Sequence, residues 1–200
     1  MEQTPDFSIA QNKASELLAY QDSIDSLRIN VARLKFHYKI HFDSLQNYCY
    51  FTNQSFQQMG FDKTENGCVV QLSENEFLIL YNANHSHERI NWTLAHEIGH
   101  IYLGHQADGT KEEIEAHFFA AQLLMPEIVL YQLAQELGSI DYIFIYDHCF
   151  VSMTAAWKRI RTLNRKVLSV SCWDSQVLKL FTPVITTFAC SSKHMAVFTK

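Results

Sequence analysis

The stretch TLAHEIGHIYLGH, residues 93–105, carries two histidines four positions apart with a glutamate directly after the first. On a helix, His96 and His100 lie one turn apart on the same face, so their imidazoles can converge on one point. Zinc binds neutral imidazole nitrogens, keeps one coordination position for water at catalytic sites and lowers the pKa of that water. Glu97 can then accept the water's proton and pass it to a leaving amine. The pattern therefore predicts a catalytic metal site.

Such a site needs a third protein ligand, and the next segment, TKEEIEAHFFAAQLLMP, offers several carboxylates. Glu113 and His117 lie four positions apart on a stripe that continues into the expected core, whereas Glu112 and Glu115 point elsewhere. We therefore predict Glu113 as the third ligand. An alternative stays open, because Thr110 and Glu113 also match a capping box, in which the carboxylate would only bond back to the helix start.

His105 follows the motif closely, but it lies one position short of the spacing at which a nearby histidine completes a zinc site. It also comes just past the expected end of the helix. We interpret His105 as a solvent-facing residue or as one that bonds to a metal ligand without contacting the metal.

The two segments together resemble the ImmA/IrrE family of zinc metallo-endopeptidases, whose pattern joins H-E-x-x-H to E-x-x-A-N-x-F-A-A-x-L-L-M-P. FLILYN before them and FVSMTAAWKRIRTL after them are similar to the family's leading strand and closing helices. The resemblance as a whole covers about residues 8–163. It implies a compact, zincin-like α+β domain with a gluzincin-like site. In that site His96 and His100 bind zinc, Glu97 is the general base and Glu113 is the third ligand.

His117 departs from the family pattern, which commonly has Asn at this position. A histidine here could hydrogen-bond to a ligand imidazole, or it could coordinate the metal itself. The identity of the ligands is therefore less fixed than the presence of a metal.

The resemblance implies limited proteolysis of a helix-turn-helix repressor that silences a mobile element or stress genes. Two other functions stay open: a non-proteolytic regulator with a structural metal, and a toxin–antitoxin or phage-associated protein that binds its partner without cutting it. Glu97 favours the peptidase, since only catalysis needs that residue. Tyr102 and Arg89 are candidate donors to the reaction's oxyanion, although no pattern supports either one.

Composition narrows the class of protein further. With 200 residues, 48% apolar and 18% charged, the chain suits one domain with a small appendage. A net charge of −5 argues against a general nucleic-acid surface. The basic run KRIRTLNRK is typical of a solvated helix face, so we do not expect direct DNA contact. Without a signal-like N-terminus, a long apolar window or paired cysteines, we expect a cytoplasmic protein with reduced thiols and no membrane contact.

The expected elements are mostly helices with one small antiparallel sheet. Helical periodicity occurs at residues 8–20 and 29–38, and β-like runs separated by turn signals lie between residues 40 and 81. The motif helix should begin after Ser86, a good N-cap, and end near Gly104.

The remaining helices are expected at residues 110–124 and 126–137, followed by two closing helices at 140–164. We predict a metallopeptidase domain over residues 1–166. Residues 167–200 form a C-terminal extension of unknown role, and because its periodicity is weak we expect its removal to leave the core and the metal site intact. The sequence does not determine the oligomeric state.

Overall fold

The computed structural model of the protein describes residues 4–58, 66–106, 109–163 and 173–197, the last of these with side chains up to residue 190. The described residues form eight α-helices and three strands, with a short 3₁₀ turn at Val31–Arg33. In chain order the elements are α1 Phe7–Ala19, β1 Lys39–Ser44, α2 Leu45–Thr52, β2 Gly67–Ser73, β3 Glu76–Tyr81, α3 His87–Leu103, α4 Thr110–Leu124, α5 Glu127–Leu137, α6 Tyr142–His148, α7 Met153–Leu163 and α8 Asp174–Val197. The predicted α+β class with a majority of helix is confirmed.

The sheet is mixed, so the prediction of an antiparallel sheet is only partly right. The strands lie in the order β1-β3-β2, in which β2 and β3 form an antiparallel hairpin and β1 pairs with β3 in parallel. Strand β3 lies between β1 and β2 instead of beyond β2. It runs in the same direction as β1 and opposite to β2. Sequence patterning cannot detect this insertion, because successive strands are neighbours in most sheets.

The helix predicted at residues 29–38 is wrong, since only one 3₁₀ turn forms there before β1. Asn91 on α3 replaces the helical hydrogen bonds: its Oδ1 accepts from the Val31 N–H at 2.9 Å and its Nδ2 donates to the Ile29 carbonyl at 3.0 Å. Of the apolar residues that suggested a helix, Ile29 and Val31 are buried in the core beside this contact, and Leu34, Phe36 and Tyr38 pack against the core partly buried.

Helix α3 lies between the sheet and α4, and α1 packs mainly against α4 and also contacts α3. The interior is continuous from α1 through α3 and α4 to α5. The two closing helices are confirmed as α6 and α7, which pack against each other. None of the helices in the described part of the chain combines the length and hydropathy that a bilayer crossing requires.

Helix α8 packs against α5 and α1 and contributes to the same core, with Val177 and Phe181 fully buried. The sequence left this segment unassigned. The domain division at residue 166 stays a prediction, because that boundary falls at residues 164–172, outside the described ranges.

The basic run on α7 is not uniformly solvated. Arg159 is only 4% exposed, and its guanidinium donates to the Met125 carbonyl at 3.0 Å and to Gln122 Oε1 at 2.8 Å. The guanidinium of Arg161 lies 4.4 Å from the centre of the Trp157 ring. The interpretation as a solvated face is therefore wrong for Arg159, and the last two basic residues of the run, Arg165 and Lys166, lie outside the described residues.

Candidate metal centre

Helix α3 places the two motif histidines on one face. Ser86 caps the helix by accepting from the Arg89 N–H at 3.3 Å, and Gly104 ends it in the left-handed region at φ +68°. Both ends agree with the sequence prediction. The Nε2 atoms of His96 and His100 lie 3.1 Å apart, so the two imidazoles converge on one point, as the spacing predicted.

Helix α4 brings Glu113 to the same point. One carboxylate oxygen lies 3.4 Å from His96 Nε2 and the other lies 3.4 Å from His100 Nε2. The capping alternative does not form, because α4 has Gly109 rather than Thr110 at its N-cap and no side-chain capping bond.

The spacing of these three donors fits a tetrahedral metal. Zinc binds nitrogen and oxygen ligands at about 2.0–2.2 Å in tetrahedral sites, which places neighbouring ligand atoms roughly 3.3–3.5 Å apart. The Nε2 atoms of His96 and His100 lie 3.1 Å apart, and each lies 3.4 Å from a different one of the two Glu113 carboxylate oxygens. These residues therefore suit a small divalent cation with little rearrangement.

His117 lies one turn after Glu113 and reaches the same region. A donor atom of His117 lies within 4.8 Å of donor atoms on His96 and Glu113, and the His117 ring centre is 4.4 Å from that of His96. Two overlapping sets of three donors thus share His96 and Glu113. Both roles considered for His117, ligand and neighbour of a ligand, are compatible with this position.

The imidazoles are held in the form that binds metals. Burial lowers the pKa of His96 to about 3, and neighbouring His117, His100 and His105 add to this effect. Partial desolvation also lowers the pKa of His117, whose side chain remains exposed at the cleft, against the opposing charge of Glu113. Both side chains are therefore neutral near pH 7, as coordination of a metal requires.

His105 is not solvent-facing, because its side chain is only 8% exposed. Its Nδ1 lies 3.0 Å from His100 Nδ1, and its Nε2 lies 3.1 Å from Glu115 Oε2. Sequence reasoning missed Glu115, which is buried. Glu115 does lie off the face that holds Glu113, as expected, but its importance depends on His105, which follows the end of α3 and which helical periodicity cannot identify.

A cleft of about 1000 Å³ opens over the site, between the β2–β3 hairpin and helices α3 and α4. Glu97 and Arg89 line it together with the donors described above. Tyr102 does not line the cleft. Its buried hydroxyl accepts from the backbone N–H of His37, an exposed residue, at 3.1 Å, and burial raises the pKa of Tyr102 to about 12. Of the two candidate oxyanion donors, only Arg89 is placed in the cleft.

A helical α+β domain with converging histidines and a carboxylate in a cleft has the architecture of a metallopeptidase. A family model for the IrrE N-terminal-like domain, peptidase family M78, matches residues 61–161, which is 101 of the 200 residues. The chain belongs to this family, which supports peptidase activity and a metal-dependent site. Searches of curated proteins and of solved structures each returned no significant match.

Proposed function

We propose that this protein is a zinc-dependent endopeptidase of the cytoplasm that cleaves a helix-turn-helix repressor at one or a few bonds, and so relieves repression of a mobile element or stress genes. The observation that carries the peptidase assignment is the position of Glu97. It is 8% exposed, it lines the cleft, and it follows directly on one of three donors spaced for zinc.

His96, His100 and Glu113 would hold the metal, since their donor atoms meet at one point. Zinc supplies a Lewis acid that polarises a peptide carbonyl and acidifies water. Glu97 accepts a proton from the attacking water at its carboxylate and delivers it to the amine that leaves. Arg89 offers a positive donor in the same cleft for the charge that develops on the carbonyl oxygen.

The edge of the sheet supports an extended peptide as the substrate. Among the described strands, β2 lies at the edge of the sheet and pairs with β3 on one side. Its consecutive residues Gly67, Cys68 and Val69 all line the cleft. Side chains alternate between the faces of a strand, so three successive lining residues indicate that the backbone edge itself borders the cleft. Such an edge can pair with an extended chain on both sides of the cleaved bond, which suits an endopeptidase.

The repressor as substrate rests on the family resemblance alone. The test incubates the zinc-loaded protein with purified helix-turn-helix repressors from its own genome, starting with any encoded beside its gene. A separate reaction contains casein. Intact mass spectrometry should show one or a few new termini in one repressor, and it should show that casein is uncut. Rapid, unselective digestion of casein would contradict the narrow specificity. A zinc-loaded protein that cuts none of these substrates would instead favour the non-proteolytic regulator.

A further inference from the structure

A buried chain of contacts leads from the candidate metal centre to the N-terminal end of the domain. His100 Nδ1 lies 3.0 Å from His105 Nδ1, and His105 Nε2 lies 3.1 Å from Glu115 Oε2. The other oxygen of Glu115 accepts from the Asp6 backbone N–H at 2.5 Å and lies 3.7 Å from Lys111 Nζ. The side chains of His105 and Glu115 are 8% and 7% exposed, so little solvent competes for these contacts.

The direction of each hydrogen bond follows from the chemistry of its groups. A backbone N–H can only donate, and an ionised carboxylate can only accept. Glu115 therefore receives hydrogen bonds from both neighbours, and His105 must carry its proton on Nε2. In a neutral imidazole the other nitrogen is then an acceptor. His105 Nδ1 accepts, so His100 must donate from Nδ1 and leave its Nε2 lone pair exposed toward His96 and Glu113.

We propose that His105 and Glu115 are positioning residues that hold His100 in the tautomer whose Nε2 is available to a metal. The proposal rests on the metal site of the proposed function, but it does not depend on peptide cleavage. His96 has no equivalent support, because its buried Nδ1 has no hydrogen-bond partner among the described residues. The chain of contacts therefore orders one of the two histidine ligands specifically.

The first test reads the tautomer directly in the metal-free protein. Ring nitrogens of ¹⁵N-labelled histidines are recorded by NMR at mildly alkaline pH, where free imidazole is neutral. We expect His100 to be protonated on Nδ1 and His105 on Nε2. A wild-type His100 protonated on Nε2 would overturn the proposal, whether or not the protein proves to be a peptidase.

Glu115→Gln is the sharpest variant for this measurement. Asp6 and His105 contact different oxygens of Glu115, and in glutamine one of these oxygens becomes an NH₂ group, so the amide cannot accept at both positions. When its NH₂ group turns toward His105, the histidine must accept on Nε2 and donate from Nδ1, which drives the proton of His100 to Nε2. We expect His100 to lose its uniform Nδ1–H form in Glu115→Gln and to keep it in Glu112→Gln, a matched substitution on the same helix outside the chain of contacts.

The second test measures metal binding by competition between the protein and a chromophoric chelator for Zn²⁺. We expect His105→Ala and Glu115→Gln to weaken the affinity by about 10- to 100-fold, the range found when partners of metal ligands are removed. His105→Asn should recover part of the loss, because its amide oxygen can accept from His100 Nδ1–H. The visible spectrum of bound Co²⁺ should change in His105→Ala and return toward wild type in His105→Asn.

A purely structural role would produce a different result. It would lower the melting temperature of the metal-free variants, leave Zn²⁺ affinity and the Co²⁺ spectrum as in wild type, and so refute the proposal. Equal loss of affinity in Glu112→Gln would also refute it. A wild-type protein that binds zinc with the expected tautomer but cuts no peptide would refute the proposed function and leave this inference standing.

Discussion

At the scale of single residues, Glu113 has the role that depends most on its three-dimensional neighbours. The same carboxylate could close a helix end or bind a metal, and the two roles differ in energy. Loss of a cap costs about 1 kcal/mol, whereas loss of one of three ligands should greatly weaken metal binding. The position of Glu113, 3.4 Å from each histidine Nε2, supports the ligand role.

We expect Glu113→Gln to lose most of its zinc and all of its peptidase activity, while Thr110→Ala keeps full occupancy. His117→Asn, which restores the residue common in the family, should be tolerated. Metal content after dialysis, measured beside cleavage, checks all three variants. Full occupancy in Glu113→Gln together with loss of zinc in His117→Asn would move the third ligand to His117.

Glu97→Gln separates metal binding from catalysis. The amide keeps the shape of the side chain but cannot accept a proton, so zinc content should stay at the wild-type level. The rate of cleavage should fall by at least about 100-fold, the lower range for general base catalysis. Metal analysis and a cleavage assay on the same preparation measure both effects, and undiminished cleavage would show that Glu97 is not the base.

At the scale of elements, the distance between α3 and α4 controls the site, because the histidines lie on one helix and Glu113 on the other. Gly99 sets this distance. A Cβ at this position would lie 3.2 Å from the Ala116 backbone and 3.2 Å from the Phe119 ring, closer than ordinary contact.

We therefore expect Gly99→Ala to push the helices apart by a few tenths of an ångström and to weaken zinc binding. The free energy of unfolding should change less than the zinc affinity, because Ala favours a helix over Gly by about 1 kcal/mol and this preference offsets part of the strain. Gly99→Val should lower both the zinc affinity and the stability further than Gly99→Ala does. Zinc affinity and thermal melting of the metal-free protein measure the two effects separately, and wild-type affinity in Gly99→Ala would contradict this account of the packing.

The attachment of α7 depends on a buried polar network. Gln122 donates to Glu127 Oε2 at 3.2 Å and accepts from Arg159, which also bonds the Met125 carbonyl. Burial lowers the pKa of Arg159 to about 10, which leaves the guanidinium charged at neutral pH.

We expect Arg159→Met to cost roughly 2–4 kcal/mol, because it leaves buried acceptors without donors. Lys158→Met is the matched control. Lys158 directly precedes Arg159 and its side chain is exposed, so the free energy of unfolding should change by no more than about 0.5 kcal/mol. Urea unfolding of both variants decides between them. Equal, small effects would restore the interpretation of this run as a solvated face.

At the scale of the whole molecule, α8 belongs to the core that supports the site. Its buried side chains cover α5 and α1, so removing residues 173–200 should expose apolar surface on both helices. We expect the truncated protein to be insoluble or to melt well below the full chain, in contrast to the outcome expected from sequence.

Phe181→Ala tests the same point in the full-length chain. Phe181 is fully buried, and truncation of a buried phenylalanine costs about 3–5 kcal/mol. Thermal or urea unfolding measures it. The opposite result would be a Phe181→Ala variant as stable as wild type and a truncated protein that remains soluble and binds zinc. It would support the sequence-based prediction that residues 167–200 are dispensable for the core and the metal site.

Local chemistry could be predicted from the sequence alone. The convergence of His96 and His100 needs only the 3.6-residue period of a helix, and the caps at Ser86 and Gly104 depend on residues next to them. The predominance of helix, the β2–β3 hairpin and the family motifs could also be predicted, because each depends on residues that lie close together in the chain. For this reason the predicted metal-binding face of α3 and its predicted first and last residues agree with the structure.

Contacts between elements were decided only by the tertiary structure. The parallel pairing of β1, the Asn91 bonds that replace a helix at residues 29–38, and the burial of Arg159 each join residues far apart in the chain. Periodicity reports which face of an element is apolar, but not which element covers it. The link from Glu115 through His105 to His100 is of this kind, because it exists only once α4 packs beside the end of α3.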